Sequence, residues 1–382
     1  MRTAIVHDWL TTFTGAEKVL EQLFKVVQPN RLFTLLDHMK VGRPDFIKSA
    51  DIRTSFIQSL PFSASRYRDY LALFPLAIEQ LDVTEFDLVI SSHYCVSHGV
   101  LTRPDQPHLV YTHSPVRYAW DLQFQYLNES GLSKSRFKGS LARAILHYLR
   151  TWDYAAGQRP TAYAANSKFI AERIFHCYGK PATVVYPPVS VDEFVPGPAK
   201  REDFYLTASR MVPYKKISLI VEAFSQMPQR KLVVIGDGPE FQRIKAKAGK
   251  NVSLLGYQSK EVLLQQMQTT RAFVFAAQED FGIVPVEAQA CGTPVIALGR
   301  GGTTETVIDG QTGILFPEQT TESLKSAVDR FEAIEASLRI EEIRANAERF
   351  SADRFRREFS TFVDQSLEAF QAQRRLVRGE SS

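Results

Sequence analysis

One rhythm constrains this chain more than anything else in it: short apolar runs, each stopped by a polar or glycine-rich turn and followed by a helical pattern. The clearest instance is Arg271–Leu298. Arg271–Ala277 (RAFVFAA) predicts a buried strand, Ile283–Cys291 a helix closed by Gly292, and Thr293–Leu298 (TPVIAL) the next strand. A strand, a crossover helix and a second strand form a parallel sheet that needs cover on both faces. The alternation begins with Thr3–His7 as a strand, the loop Asp8–Thr14, and a helix from Gly15 whose Val19, Leu20, Leu23, Phe24 and Val27 follow helical spacing. Asp87–Ser91 and His108–Thr112 predict further buried strands. Residues 122–152 read as helical and amphipathic, with Arg, Lys and Tyr outward. Ala162–Asn166 is a short strand, Ser167 caps a helix through His176, and Thr183–Tyr186 is the last strand of the first half. Prolines 187, 188, 196 and 198 then mark a linker.

The second half repeats the pattern. Phe204–Ala208 is a strand, Ser209–Lys216 a loop, Ile217–Gln226 a helix and Lys231–Ile235 a strand. Val252–Leu255 and a helix from Ser259 lead into Arg271. Ser351–Gln373 reads as one long helix; its stripe of Phe355, Phe359, Phe362, Val363, Leu367 and Phe370 must pack on something. The fold class expected is therefore α/β, with two facing doubly wound (Rossmann-like) domains. Residues 1–190 and 191–350 form the domains, and 351–382 a C-terminal helix crossing back to the first.

At 382 residues two domains are the default. The composition, 44% apolar and 23% charged, is that of a soluble globular chain. Cys95, Cys177 and Cys291 lie far apart with no CxxC pair, so neither a disulfide framework nor a zinc site is suggested, which suits a reducing cytosol. The opening MRTAIVHDWL has no apolar region long enough for a signal peptide. The longest apolar candidate for a membrane span, Tyr70–Leu81, is broken by Pro75 and Glu79. Net charge is +4 but uneven: residues 1–190 carry a formal +5 and the remainder −1. Basic residues alternate with aromatics at Arg66–Tyr70, Arg117–Trp120 and Lys134–Trp152. Such clusters suit an anionic membrane surface or nucleic acid; they equally suit a solvated surface over an aromatic core.

Several features converge on an anion site. Gln278–Glu287 is a strand-to-helix turn at the carboxyl edge of the second sheet, where ligands of open α/β folds bind. Gly282 permits close backbone approach, and the N–H groups of Gly282, Ile283 and Val284 sit at the positive end of a helix, which suits a phosphate. Pro285 gives up an N–H that had no helical partner. Glu279 and Glu287 bracket this point. Either they take hydroxyl donors, one from a sugar and one from a ribose, or they are an ordinary loop acid and a solvated helix residue. Arg210 and Lys215, in the first loop of the second half, would complete a site for two linked phosphates. Gly236-Asp237-Gly238 lacks a third spaced glycine, because Phe241 stands there, and so is no dinucleotide fingerprint; Thr14-Gly15-Ala16 is a second phosphate approach that also lacks it. In the first half, His113 ends a strand before a pinning Ser114-Pro115, a place that serves an active-site cleft or merely caps a strand.

With those residues in view, the chain resembles the retaining GT-B glycosyltransferases called group 1 or family four, over nearly its whole length and most strongly from Asn166 to Gly313. Glu279 and Glu287 match that family's E-x7-E motif, continuing through Ala288 to Val295. Arg210 and Lys215 fall where its diphosphate-binding Arg and Lys lie, although Lys216 replaces the usual Gly and Ser209-Arg210-Met211 departs from Gly-Arg-Leu. Asn166-Ser167, Gly236 to Pro239, and Gly301-Gly302 with Glu305 also match. At the N-terminal loop Thr14 stands where many members have Gly, so Gly15 alone carries over. The block Tyr111–Asp121, with Arg117, Tyr118 and Asp121 on the acceptor side, looks like bacterial O-antigen and exopolysaccharide mannosyltransferases using GDP-mannose.

The resemblance implies that Glu279 holds the sugar's hydroxyls and Glu287 the ribose. Arg210 and Lys215 neutralise the departing diphosphate, and His113 is the cleft histidine. Gly236, Tyr257 and Phe281 join Gly15 and Gly282 to Val284 in donor binding. It implies no cofactor, and no DxD metal pair stands in a convincing loop. The partners implied are a nucleotide sugar, a lipid-linked oligosaccharide acceptor and an anionic membrane surface, with no nucleic acid. The location implied is cytoplasmic, peripheral at the inner face of the membrane. Two rivals stand beside this: a GT-B enzyme using a UDP-sugar, and a basic membrane- or nucleic-acid-binding module without catalysis, which would leave Glu279, Glu287 and Lys215 idle. The sequence offers no clear carboxylate nucleophile.

Overall fold

The computed structural model describes residues 1–40, 42–129, 135–197 and 201–379. Lys134 and Pro198 lie outside them. The chain divides into two compact units: Met1–Tyr186 together with the helical residues from Phe355 onward, and Pro187–Arg354. Each is a parallel sheet flanked by helices, the α/β class expected.

The first unit holds β1 (Thr3–His7), β2 (Arg31–Thr34), β3 (Ile52–Thr54), β4 (Leu88–His93), β5 (His108–Thr112), β6 (Ala162–Ala165) and β7 (Ala182–Val184), in the sheet order β3-β2-β1-β4-β5-β6-β7. The order reverses between β1 and β4, so that crevice is where a doubly wound sheet receives ligands. β4 runs two residues beyond the predicted strand because it is central, with partners on both sides; His7 pairs with Ser92, and His93 with Thr112. β2 and β3 carry no apolar run long enough to have stood out. The helix Gly15–Val27 buries Val19, Leu20 and Leu23 and ends at Gln28 in the left-handed region (φ 44°). Ser167 Oγ accepts the Ile170 amide at 3.1 Å, and Gly179 (φ 66°) ends that helix after Tyr178. Residues 122–152 contain two helices, Gln123–Glu129 and Arg136–Ala156. The last helix runs Ala352–Arg378. Its Phe355, Phe359, Phe362 and Val363 are buried in one core with Ile5, Leu20, Ile90, Leu109 and Tyr111; the Tyr111 ring lies 5.6 Å from that of Phe355.

The second unit holds β8 (Tyr205–Ala208), β9 (Leu232–Ile235), β10 (Val252–Gly256), β11 (Ala272–Phe275), β12 (Val295–Leu298) and β13 (Gly313–Phe316), in the order β10-β9-β8-β11-β12-β13. Here the reversal falls between β8 and β11. Tyr205, Phe224, Val274, Ile296, Phe316 and Phe331 share its core. Helices Thr321–Ile334 and Ile340–Glu348 went unread in the sequence. The second of them covers the helix Ile283–Ala290: Asn346 Nδ2 donates to Gln289 Oε1 at 2.7 Å and Arg344 Nη1 to the Ala290 carbonyl at 2.6 Å.

Candidate active site

The topology of the second unit explains its candidate site. The loop after β8 carries Arg210 and Lys215; the loop after β11 carries Glu279 to Gly282; the sheet makes these two strands neighbours. Lys215 ends a short 3-10 turn, Pro213–Lys215, and its Nζ contacts Glu279 Oε1, with each side chain about four-fifths buried. Lys216 follows in the left-handed region (φ 56°), which is the conformation a glycine would adopt without strain. Arg210 is exposed, and its guanidinium has no ion pair among the described residues. Gly282 (φ 89°) precedes the helix Ile283–Ala290, and no acceptor among the described residues takes the amides of Gly282, Ile283 or Val284. An open helix end therefore stands beside the Lys215–Glu279 pair, with anion-binding polarity.

Surrounding turns lock this geometry. Gly302 donates its amide to the Glu279 carbonyl at 2.8 Å. A Cβ on Gly302 would lie 2.3 Å from Phe281 Cα, and one on Gly301 2.5 Å from the Glu279 carbonyl. At Gly236 (φ 131°) a Cβ would meet the Ser209 carbonyl at 1.9 Å, so the β9 turn lies tight against the Arg210 loop. Phe281 is buried against Phe350, ring centroids 5.3 Å apart, so what it offers a ligand is backbone. Glu287 is buried, which removes the solvated-helix alternative. Tyr257 is 83% exposed in the turn after β10.

In the first unit the candidates gather at the carboxyl ends of β1, β4 and β5. His113 is half-buried; its Nε2 lies 2.9 Å from Ser92 Oγ, and its carbonyl accepts Asn166 Nδ2 at 2.8 Å. Burial, with the neighbouring His7, pushes the His113 ring down to about 3. Gly15 opens its helix behind Thr14, whose amide and hydroxyl both donate to Glu17 Oε2 at 2.8 Å. Tyr118 is engaged by Cys95, with OH to Sγ at 3.0 Å, and Asp121 by Arg173; Arg117 lies half-buried in the same segment. Sequence reasoning missed Asp8, whose carboxylate accepts the amides of Tyr94, Cys95, Val96 and Ser97 at 2.6–2.9 Å and so fixes the turn after β4. An acid directly after a buried strand was the available signal.

Among the described residues, one group could hold a metal ion: His93, His98 and Asp153, all buried. Some of their polar atoms already engage one another, while His93 Nε2 and Asp153 Oδ1 are buried without a hydrogen-bond partner among the described residues. His93 Nδ1 and His98 Nδ1 share a hydrogen at 3.1 Å, and Asp153 Oδ2 accepts Trp120 Nε1 at 2.8 Å and the Tyr178 hydroxyl at 3.0 Å. Burial raises Asp153 to about 7 against those two donors and lowers His98 to about 3, and all three side chains are closed off from solvent.

Comparison with known proteins agrees with this architecture. Residues 190–350 match the family model described as glycosyl transferases group 1, and residues 32–193 match glycosyltransferase family 4. A D-inositol 3-phosphate glycosyltransferase from Mycobacteroides abscessus is 33% identical over 167 residues, 38% of either chain, so the match spans about two-fifths of that relative. Two solved structures share the fold. Sucrose-phosphate synthase from Thermosynechococcus elongatus has a TM-score of 0.72 at 19% identity, covering 97% of this chain and 100% of that one. Anabaena HepE in complex with UDP-glucose has a TM-score of 0.66 at 16% identity, covering 96% and 100%. The two family matches overlap at residues 190–193 and together run from residue 32 to 350, so the second half of the chain is of the group 1 glycosyltransferase type and most of the first half of the family 4 type.

Proposed function

We propose that this protein is a retaining glycosyltransferase that moves a hexosyl group from a nucleoside diphosphate sugar to a lipid-linked glycan, without a divalent metal. The observation that carries the reading is the meeting of Lys215 and Glu279 beside the open helix end at Gly282, at the sheet's reversal point. Breaking the anomeric C–O bond leaves the electron pair on the diphosphate and an oxocarbenium-like sugar. Lys215, Arg210 and the amides of Gly282 to Val284 stabilise the leaving charge, the electrostatic work that dominates such steps. Glu279 and Glu287 take hydroxyl donors from the sugar and the ribose. The donor favoured is GDP-mannose, on the Tyr111–Asp121 block; the second reading, a UDP-sugar, is favoured by the likeness to HepE, whose structure contains UDP-glucose. Turnover against a panel of GDP- and UDP-sugars with EDTA present tests donor and metal together. Absence of turnover with every sugar overturns the reading, and activity only on adding Mn²⁺ overturns its metal-free part.

The acceptor side of this reading lies in the first unit and at a membrane surface. The helix Arg136–Ala156 exposes Phe137 (81%), Leu141 (53%) and Tyr148 beside the exposed Lys138 and Arg143, a pattern suited to lying on anionic headgroups. No helix among the described residues is long and apolar enough to cross a membrane. The exposed patch supports peripheral attachment at the inner face as part of this proposal, and co-sedimentation with phosphatidylglycerol vesicles, lost on Phe137→Glu with Leu141→Glu, checks it.

A further inference from the structure

Three non-glycine residues among those described have positive φ. Gln28 ends a helix, and Lys216 belongs to the candidate site. Phe62 (φ 58°) does neither, and a bulky residue rarely adopts that region. Its ring is also 72% exposed, so this turn carries backbone strain and a hydrated phenyl group at once. The core has no need of the ring: Ile57, Tyr67 and Phe74, on either side of it in sequence, already fill that space with Val6, Phe33 and Phe86.

The turn is not slack. The Pro61 carbonyl accepts the Tyr70 hydroxyl at 2.7 Å. Ser63 Oγ donates to the Gln58 carbonyl at 2.9 Å and meets His38 Nε2 at 3.0 Å, and the Arg66 amide donates to the Phe62 carbonyl at 2.8 Å. The chain on both sides of Phe62 is pinned while its ring stands out in water, a strained and costly arrangement that the fold enforces without using it. We infer that Phe62 is a wedge that enters the apolar boundary of an anionic bilayer, a lipid contact separate from the helix Arg136–Ala156. The inference rests on the membrane-surface reading given above.

Charge selects this partner. Residues 52–68 carry Arg53, Arg66 and Arg68 and no acid. Arg66 pairs with Asp69, and Arg53 lies 3.8 Å from Asp51. Arg68 lies over the Tyr67 ring, 5.0 Å from its centroid, and has no ion pair among the described residues. A phenyl ring flanked by guanidinium groups matches the layering of a phospholipid surface, with the ring among the upper acyl carbons and the cations at the phosphates. A protein partner asks for a broader apolar face. Between Phe62 and Tyr67 the exposed residues are Ala64, Ser65 and Arg66, so the ring is a point. The position agrees. The turn follows β3 at the carboxyl edge of the first sheet, and the same segment reaches the helix Arg136–Ala156, because Leu71 packs on the core that holds Leu146 and Leu149.

Phe62→Trp in the full chain reads the contact directly. With vesicles of phosphatidylglycerol brominated on the upper acyl carbons, its added emission should shift to the blue and be quenched. The emission of the unaltered protein, from Trp9, Trp120 and Trp152, should not be. Phe62→Gly should lower partition onto phosphatidylglycerol vesicles about tenfold, the loss expected for withdrawing part of a phenyl side chain from an apolar phase. It should leave the urea midpoint unchanged or higher, because glycine takes this φ without strain. Absence of added quenching in Phe62→Trp, undiminished partition of Phe62→Gly, or a lowered midpoint in Phe62→Gly would overturn the wedge; the last would show that the ring serves the fold. A blue shift of Phe62→Trp that grows with protein concentration without vesicles would overturn it in favour of a second copy of the chain. Equal partition of the unaltered protein onto phosphatidylcholine overturns the part given to the arginines. Vesicle binding lost in Phe137→Glu with Leu141→Glu but undiminished in Phe62→Gly strikes the wedge and leaves the helix contact standing. Quenching of Phe62→Trp in a protein that transfers no sugar counts against the proposed function and leaves the wedge standing.

Discussion

Glu279→Gln separates two roles that the Lys215 contact combines. The substitution preserves size and removes one negative charge. Both side chains are about one-fifth exposed, so the loss of the ion pair should cost stability only about 1 kcal/mol. The effect on ligand is larger and has the opposite sign. At about 4 Å and an effective dielectric constant of about 20, two unit charges interact by about 4 kcal/mol. In the free protein Glu279 neutralises Lys215, and it repels any diphosphate arriving at Gly282. Removing that carboxylate frees the ammonium for phosphate. After screening we expect free GDP or UDP to bind about tenfold more tightly, about 1.4 kcal/mol. Turnover should fall about 10²-fold, because a neutral amide accepts the sugar's hydroxyls less strongly than a carboxylate does. Calorimetric titration of GDP and UDP into both proteins, beside steady-state rates, reads both effects. Nucleotide affinity that drops tenfold or more in Glu279→Gln would show that Glu279 grips the nucleotide itself, and the division of labour argued here fails.

Four further outcomes follow from the same geometry. Lys215→Ala should lower kcat by about 10²–10³-fold while changing the urea midpoint little; a rate loss no larger than the loss of folded protein would make the lysine purely structural. Lys216→Gly should stabilise the fold by about 0.5 kcal/mol in urea denaturation, since it relieves a left-handed lysine against a smaller gain in unfolded-chain entropy. Gly302→Ala should destabilise by about 3 kcal/mol and abolish nucleotide binding, because the added carbon meets Phe281 backbone at 2.3 Å. Acid should weaken the first unit steeply. Burial holds His98, His108 and His113 near 3 in the fold and His93 well below its ordinary value, against 6.5 unfolded, so the unfolded chain binds four more protons below pH 6. Asp153, raised to about 7 against 3.8, returns one to the folded state. The net is three protons, and stability should fall by about 4 kcal/mol per pH unit between about pH 6 and 4, read from urea midpoints at pH 6.5 and 5.0. A flat profile there refutes the neutral histidine cluster.

What could be read along the chain was local. Continuous apolar runs marked β1, β5 and β8 within a residue and β11 within two, because those segments are buried on both faces and show it in their own composition. Ser167, Ser259 and Gly282 likewise announced helix starts through their own chemistry, and the Glu279–Glu287 spacing with Arg210 and Lys215 pointed to the candidate site at which Lys215 and Glu279 meet. β3 escaped because a three-residue strand of mostly exposed side chains has no periodicity to detect. The helix Thr321–Ile334 is legible in the sequence, since Leu324, Ala327, Val328 and Phe331 follow helical spacing. Folding alone decided which distant residues meet. Lys215 reaches Glu279 because β8 and β11 are neighbours where the strand order reverses. Gln289 is buried because a helix about fifty residues later covers it, and Phe281 turns inward to Phe350. The pairing of His7 with Ser92 depends on the register of two strands about eighty residues apart. Pairings of that kind are set by sheet topology and shared cores, which no window of sequence contains.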